Sequence, residues 1–208
     1  PRDGITPALP KTLVISIDAM GGVDIAISNA AHTGSRATLL EMEPEFWNET
    51  QHVNVVGTLT LFRALAPQMM GRPGANLIIV SSIRGLGGVA GAAAYGASKA
   101  APNHLTKTLA CEWGPLGIRV NGLLPGPVET DRVHAHFAGN KALYDYYADI
   151  APTPGWTQAD ACAGPAVFLA SDAAARVNGH LLVVDGGLSA RNQDAFAPPA
   201  HLLQPAAE

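Results

Sequence analysis

The sequence is poor in charge and poor in cysteine. Of its 208 residues only 14% are charged, 13 Lys and Arg against 17 Asp and Glu, for a formal net charge of −4. With an isoelectric point near 6.0, it offers nucleic acid no basic surface. Two cysteines, Cys111 and Cys162, cannot build a disulfide framework, so a reduced, cytoplasmic compartment is the default expectation. No apolar run approaches the roughly 20 residues that a bilayer span needs, and no basic-then-apolar secretory start is present. The chain opens at Pro1 rather than Met, as expected of a beginning that was processed, lost or replaced. No H-x-x-x-H pair or Cys/His cluster with ligand spacing occurs, so no metal is expected. His134 and His136 flank Ala135, while His32, His52, His104, His180 and His201 are scattered; all read as surface or loop residues.

What remains is apolar. Hydrophobic residues make up 48% of the chain, enough for one compact domain over 1–208 with a sizeable core and some surface left for subunit contacts. The Pro/Ala-rich ends, 1–10 and 194–208, read as loose arms. Nearly continuous apolar runs at 23–29, 75–82, 118–124 and 180–185 predict parallel strands covered on both faces. Helical spacing predicts helices over 44–70, opened by Pro44 and Glu45, over 93–113 and over 158–171. Strands alternating with helices of this length imply right-handed βαβ units and a doubly wound α/β sheet. Residues 12–22 are ambiguous. TLVISI has strand composition, yet only DAMGG separates it from the next strand, too short for a parallel crossover of roughly a dozen residues. The reading favoured is a helix that ends at Gly21.

Tyr95-Gly-Ala-Ser-Lys99 carries the chemistry. Tyr95 and Lys99 stand four apart and project from one helix face. A phenol with its pKa near 10 exchanges protons poorly at neutral pH; a nearby ammonium stabilises the phenolate, which acid–base catalysis requires. Such a pair alone decorates many solvated helices. Ser82 changes its meaning, because it ends the preceding strand, and the carboxyl ends of strands are where ligands bind in such a sheet. A serine hydroxyl there can hydrogen-bond a substrate oxygen beside the tyrosine. Ser81 reads as a residue that satisfies loop backbone.

Ser82 followed by Tyr95-Gly-Ala-Ser-Lys99 resembles the Ser…Y-x-x-x-K signature of the short-chain dehydrogenase/reductase family. Ser28-Asn29-Ala30-Ala31 resembles the family's N-N-A-G, and Asn54 matches the asparagine of its catalytic tetrad. Pro125-Gly126-Pro127-Val128-Glu129-Thr130 resembles its P-G-x-x-x-T segment, and HLLVVDGG at 180–187 its last strand and turn. The similarity spans about residues 19–190. It implies a Rossmann-like fold and NAD or NADP chemistry that interconverts a carbonyl and a secondary alcohol of a small molecule. Tyr95 would be proton donor or acceptor. Lys99 would lower its pKa and hold the nicotinamide ribose, and Ser82 would orient the substrate oxygen. Asn54 would bend its helix and hold a water in a proton relay. Asn29, Ala30, Ala31, Pro125, Gly126, Val128 and Thr130, with Tyr95 and Lys99, would line the nicotinamide half. His134 and His136 would lie in a mobile substrate-side segment. Tyr144, Tyr146, Tyr147 and Trp156 fall where the family has its substrate lid, or form a helix packing its own aromatics.

The family's opening T-G-x-x-x-G-x-G turn has no counterpart before residue 23, so the resemblance implies an amino-terminal βαβ part that is missing or shortened. Dinucleotide binding is then expected to be weak or lost, which a fluorescence titration with NADH or NADPH would overturn by giving micromolar affinity. The glycines at 85, 87, 88 and 91 fall between Ser82 and Tyr95, and read as turn and packing residues rather than a phosphate loop. Ala31 in place of glycine is expected to crowd the cofactor, and Pro102 to kink the Tyr95 helix. Two other functions stay open: a cofactor-free relative acting as a non-catalytic binding or regulatory subunit, and a lyase-like enzyme without cofactor. The helices at 44–70 and 93–113 are expected to pair across a two-fold axis, giving a homodimer or homotetramer.

Overall fold

In a computed structural model of the chain, the described residues are 21–33, 37–136 and 140–191. The segment 12–20 and both expected arms lie outside them. Four strands form one sheet in the order β1 (Ile25–Ser28), β2 (Asn76–Val80), β3 (Arg119–Pro125) and β6 (Leu181–Val184), and every neighbouring pair is parallel. Each lies within a predicted apolar run or extends one residue past it. Between β1 and β2 come α1 (Pro44–Gln51), a π-helical turn (His52–Val56) and α2 (Gly57–Met69). The long α3 (Ala93–Trp113) joins β2 to β3. After β3 come β4 (Val128–Glu129), α4 (Asp131–His136), α5 (Lys141–Asp149) and β5 (Thr157–Gln158). The crossover then ends with α6 (Ala159–Ala170).

The strands sort their side chains with period two. Leu77 and Ile79 of β2 and Val120 of β3 pack with Phe62, Leu65 and Met69 of α2 and Leu109 of α3. Ile78 and Leu123 point the other way, onto Leu169 and the apolar side of α6. Both faces of the central strands β2 and β3 are therefore covered, as expected, whereas Ile25 and Ile27 of β1 and Val183 of β6 are exposed among the described residues. Gly122 leaves room for a neighbouring side chain of β6, because a Cβ there would lie 2.8 Å from Leu181 Cδ2, and it faces α3 with Thr106 Oγ1 at an ordinary 3.4 Å. Polar strand residues fasten the end of α6: Asn76 Nδ2 donates to Leu169 O at 2.6 Å, and Arg119 donates to the same carbonyl at 3.0 Å.

Pro102 does not interrupt α3, which runs through it from Ala93 to Trp113. The ring sits on a buried face, and the hydroxyl of Thr106 donates to its carbonyl at 2.9 Å. The expected kink therefore leaves the Tyr95–Lys99 turn intact.

Candidate active site

The carboxyl ends of β1, β2 and β3 open into a cleft of about 870 Å³. Its lining includes Asn29, Ala31, Ser82, Tyr95, Lys99, Pro125, Gly126, Val128 and Thr130, so one space collects nine of the residues singled out in the sequence. Ala30 is exposed and outside the lining. Asn54 is buried behind it.

Lys99 is the least ordinary group in the site. Its side chain is 4% exposed, with Nζ 3.0 Å from Val80 O, to which it donates, and 5.7 Å from the centre of the Tyr95 ring. Burial pushes its pKa down to about 8, because the charged form loses more solvation than the neutral one. The lysine is held from both ends. Ser81 Oγ donates to the Lys99 carbonyl at 3.0 Å, so it serves a carbonyl of helix α3 and not the loop backbone expected of it. A Cβ on Gly85 would lie 2.5 Å from the Lys99 carbonyl carbon and oxygen, so only glycine lets the 3₁₀ turn Ile83–Gly85 sit against α3 there. Gly85 thus packs as read from the sequence, whereas Gly87 and Gly88 face open space.

Ser82 Oγ accepts from the Arg84 amide at 3.1 Å, which caps that turn and fixes the hydroxyl at the cleft wall. Tyr95 lies in the first turn of α3. Its carbonyl accepts from Ser98 Oγ at 2.8 Å, and Gln51 Nε2 of α1 donates to the neighbouring Ala94 carbonyl at 3.0 Å.

Asn54 sits inside the π-helical turn, which supplies the expected irregularity in its helix. Its side chain is a clamp: Oδ1 accepts from His32 N at 2.7 Å, while Nδ2 donates to His32 O and to Ser98 Oγ, each at 2.8 Å. This ties the loop after β1, which carries Asn29 and Ala31, to the helix that carries Tyr95 and Lys99. Sequence reasoning missed His32, whose Nδ1 lies 3.0 Å from Thr50 Oγ1. That hydroxyl donates to Phe46 O, so the ring nitrogen is the donor and the tautomer is fixed. Ser28 also has a local reason: its hydroxyl pairs with Thr58 Oγ1 at 2.9 Å, and Thr58 donates to Asn54 O.

The far wall of the cleft is the β4–α4–α5–β5 segment. Val128 pairs with Thr157 and Glu129 with Gln158 in a two-residue parallel ladder. Glu129 is the hub: its carboxylate accepts from Tyr144 OH and from Gln158 Nε2 at 2.5 Å, and His134 Nε2 lies 3.3 Å from Oε1. These bonds, the Tyr144 hydroxyl first, hold its pKa below the usual carboxylate value, and Glu129 in turn raises that of Tyr144. His134 stacks on Tyr144, and Trp156 packs against Tyr144 and Tyr147. The rings of α5 pack among themselves and with Trp156, and Tyr147 and Trp156 line the cleft. His134, expected in a mobile stretch, belongs to a helical turn capped by the Thr130 hydroxyl, which accepts from Val133 N at 3.3 Å.

Glu129→Gln is expected to loosen this wall, raising KM for substrate several-fold with little change in kcat, as steady-state kinetics would show. Because the folded pKa is depressed, the knot is intact at neutral pH and weakens only as pH falls through that lowered value.

A doubly wound parallel sheet with Ser82, Tyr95 and Lys99 gathered at its carboxyl ends defines a Rossmann-like domain of the dehydrogenase kind. A family model described as enoyl-(acyl carrier protein) reductase matches residues 10–189. The sequence is 33% identical over 181 residues to dehydrogenase/reductase SDR family member 4 of Sus scrofa, covering 87% of this chain and 64% of that protein. It is 34% identical over 170 residues to gluconate 5-dehydrogenase of Gluconobacter oxydans, covering 82% and 66%. A crystal structure of gluconate 5-dehydrogenase from Burkholderia cenocepacia, in complex with NADP and tartrate, superposes with a TM-score of 0.80 at 33% identity, over 88% of this chain and 72% of that one. The chain belongs to the short-chain dehydrogenase/reductase family. It spans just under two thirds of the length of these curated relatives.

Proposed function

We propose that the protein is an NAD(P)-dependent oxidoreductase that interconverts a carbonyl and a secondary alcohol on a small molecule. The observation that carries this reading is the convergence of Ser82, Tyr95 and a desolvated Lys99 on one cleft. In reduction, Ser82 Oγ donates a hydrogen bond to the substrate carbonyl oxygen, and Tyr95 delivers its phenolic proton to that oxygen as charge develops there. In oxidation Tyr95 takes the proton back. The Lys99 ammonium beside the ring favours the phenolate. Asn54 acts as a positioning residue, through His32 and Ser98.

Among the described residues, the lining fits the nicotinamide and ribose end of the cofactor. Lys99 offers a buried ammonium for ribose hydroxyls, and Asn29, Ala31, Pro125, Gly126, Val128 and Thr130 form the remaining wall. Bound there, the nicotinamide supplies or accepts the hydride. Nothing among these residues separates NAD from NADP. The names of the relatives make sugar acids the first substrates to assay. The purified chain should oxidise D-gluconate or reduce a keto sugar acid with one of the two cofactors, followed by nicotinamide absorbance. Absence of turnover with both cofactors across alcohols and ketones of this size would overturn the reading.

Self-association also belongs to this proposal. The outer face of α3, with Gly96, Ala97 and Ala100, borders a shallow groove of about 490 Å³ and presents small side chains suited to helix pairing. Light scattering at micromolar concentration should give a dimer or tetramer mass, and a monomer would refute it.

A further inference from the structure

We infer that Arg84 recognises a carboxylate on the substrate, and so selects hydroxy or keto acids over neutral carbonyl compounds; this rests on the oxidoreductase reading above. Among the described residues, the cleft is lined by two charged residues, Lys99 and Arg84, and by no Asp or Glu, and Arg84 also borders the outer groove beside α3. That is notable in a chain with 17 acidic residues and 13 Lys and Arg. Lys99 donates to Val80 O, lies over the Tyr95 ring and is assigned above to the cofactor ribose. Arg84 is half-buried, and among the described residues its guanidinium has neither a salt bridge nor a hydrogen bond. A half-buried guanidinium without an acceptor is unfavourable unless water or an anion supplies one.

Its backbone is fixed where a substrate anchor is needed. The Arg84 amide donates to the Ser82 hydroxyl, so anchor and carbonyl-orienting group are two residues apart on one capped turn. That turn is pressed against α3 at Gly85, and its position does not depend on the β4–β5 wall. The amino end of α3 adds to the positive field. Ala92, its N-cap, has no side chain to cap it, the first turn holds no acidic residue, and Ala92 and Ala94 line the same cleft. Orphan amides at a helix start favour negative charge. A planar guanidinium fork matches a carboxylate in bidentate fashion.

D-gluconate and D-glucitol, which differ by carboxylate against primary alcohol at one carbon, test this directly. Calorimetric titration of the full chain should show at least about tenfold preference for D-gluconate, in line with one charge-assisted pair. The preference should shrink at high salt. Arg84→Gln should bring it close to one, and Arg84→Lys should retain part of it. The ratio of kcat/KM values for the two compounds should fall in parallel. A preference unchanged in Arg84→Gln overturns the inference. So does a wild-type protein without preference, and so does a raised KM for NADP+ with the preference intact, which would assign Arg84 to the cofactor. If no alcohol is turned over yet calorimetry still shows a preference lost in Arg84→Gln, the carboxylate site stands and the redox reading falls. Should Arg84→Gln fail to fold, full wild-type preference in Arg84→Lys at high salt counts against a charge-dependent fork.

Discussion

Tyr95→Phe is expected to lower turnover by about a thousandfold or more while the protein remains folded. The substitution removes one hydroxyl from a half-buried ring and leaves the helix around it unchanged. The Ser98-to-Tyr95 and Gln51-to-Ala94 bonds use backbone carbonyls, and Lys99 keeps its bond to Val80 O. What disappears is the proton delivered to the substrate oxygen, and positioned proton transfer contributes roughly 10²–10⁴-fold. KM for substrate should move little, because the cleft wall and Ser82 are untouched. Circular dichroism and the thermal midpoint should match wild type, which separates lost chemistry from lost fold. Near wild-type turnover in Tyr95→Phe would sink the assignment of Tyr95. Ser82→Ala is a less clean probe, since the same hydroxyl caps the Arg84 amide and its loss disturbs the turn as well.

The strands and the long helices were legible because they answer to local rules. Four apolar runs fall within a residue or two of β1, β2, β3 and β6, and the central two, buried on both faces, have little freedom in composition. Ser82, Tyr95 and Lys99 were legible for a related reason: a strand end and a helix start put them at the same edge of the sheet, and short sequence spacing records that. The β4–β5 ladder was not legible. Each strand is two residues long, and nothing in two residues encodes a partner 29 positions away. The Glu129 knot is similar, since its three partners come from α4, α5 and β5. Asn54 was found by its motif, but its clamp on His32 was not, because the loop after β1 is fixed by folding and not by periodicity. Arg84 had one visible signal, a cation two residues after Ser82, whose meaning depends on a cleft that has no acidic residue among the described ones.

Lys99→Met is expected to make the protein more stable at neutral pH and at least about a hundredfold less active. The two effects share a cause. Burial lowers the ammonium pKa from 10.5 to about 8, so the folded chain gives up this proton before the unfolded chain does. Below about pH 8 both states carry the charge, and the folded state bears the full cost of its desolvation, about 3 kcal/mol. Between about 8 and 10.5 the unfolded state binds more protons, so wild-type stability rises with pH; above 10.5 this contribution levels off. Methionine has nearly the same length and no charge. It removes the desolvation cost and also the bond to Val80 O, worth about 1 kcal/mol net. The variant should therefore gain about 2 kcal/mol at pH 7 and lose about 1 kcal/mol near pH 11, where wild-type Lys99 is neutral and only the bond to Val80 O is missing. Urea unfolding at both pH values measures this, with the wild-type rise between them absent from the variant. Turnover falls because the phenolate of Tyr95 loses its neighbouring cation and the cofactor ribose its donor, so KM for cofactor should rise while kcat drops. A variant that is equally stable or less stable at pH 7 would mean that Lys99 is a compensated structural cation. A gain in stability at the expense of activity would identify it as a charge retained against its folding cost for the chemistry at Tyr95.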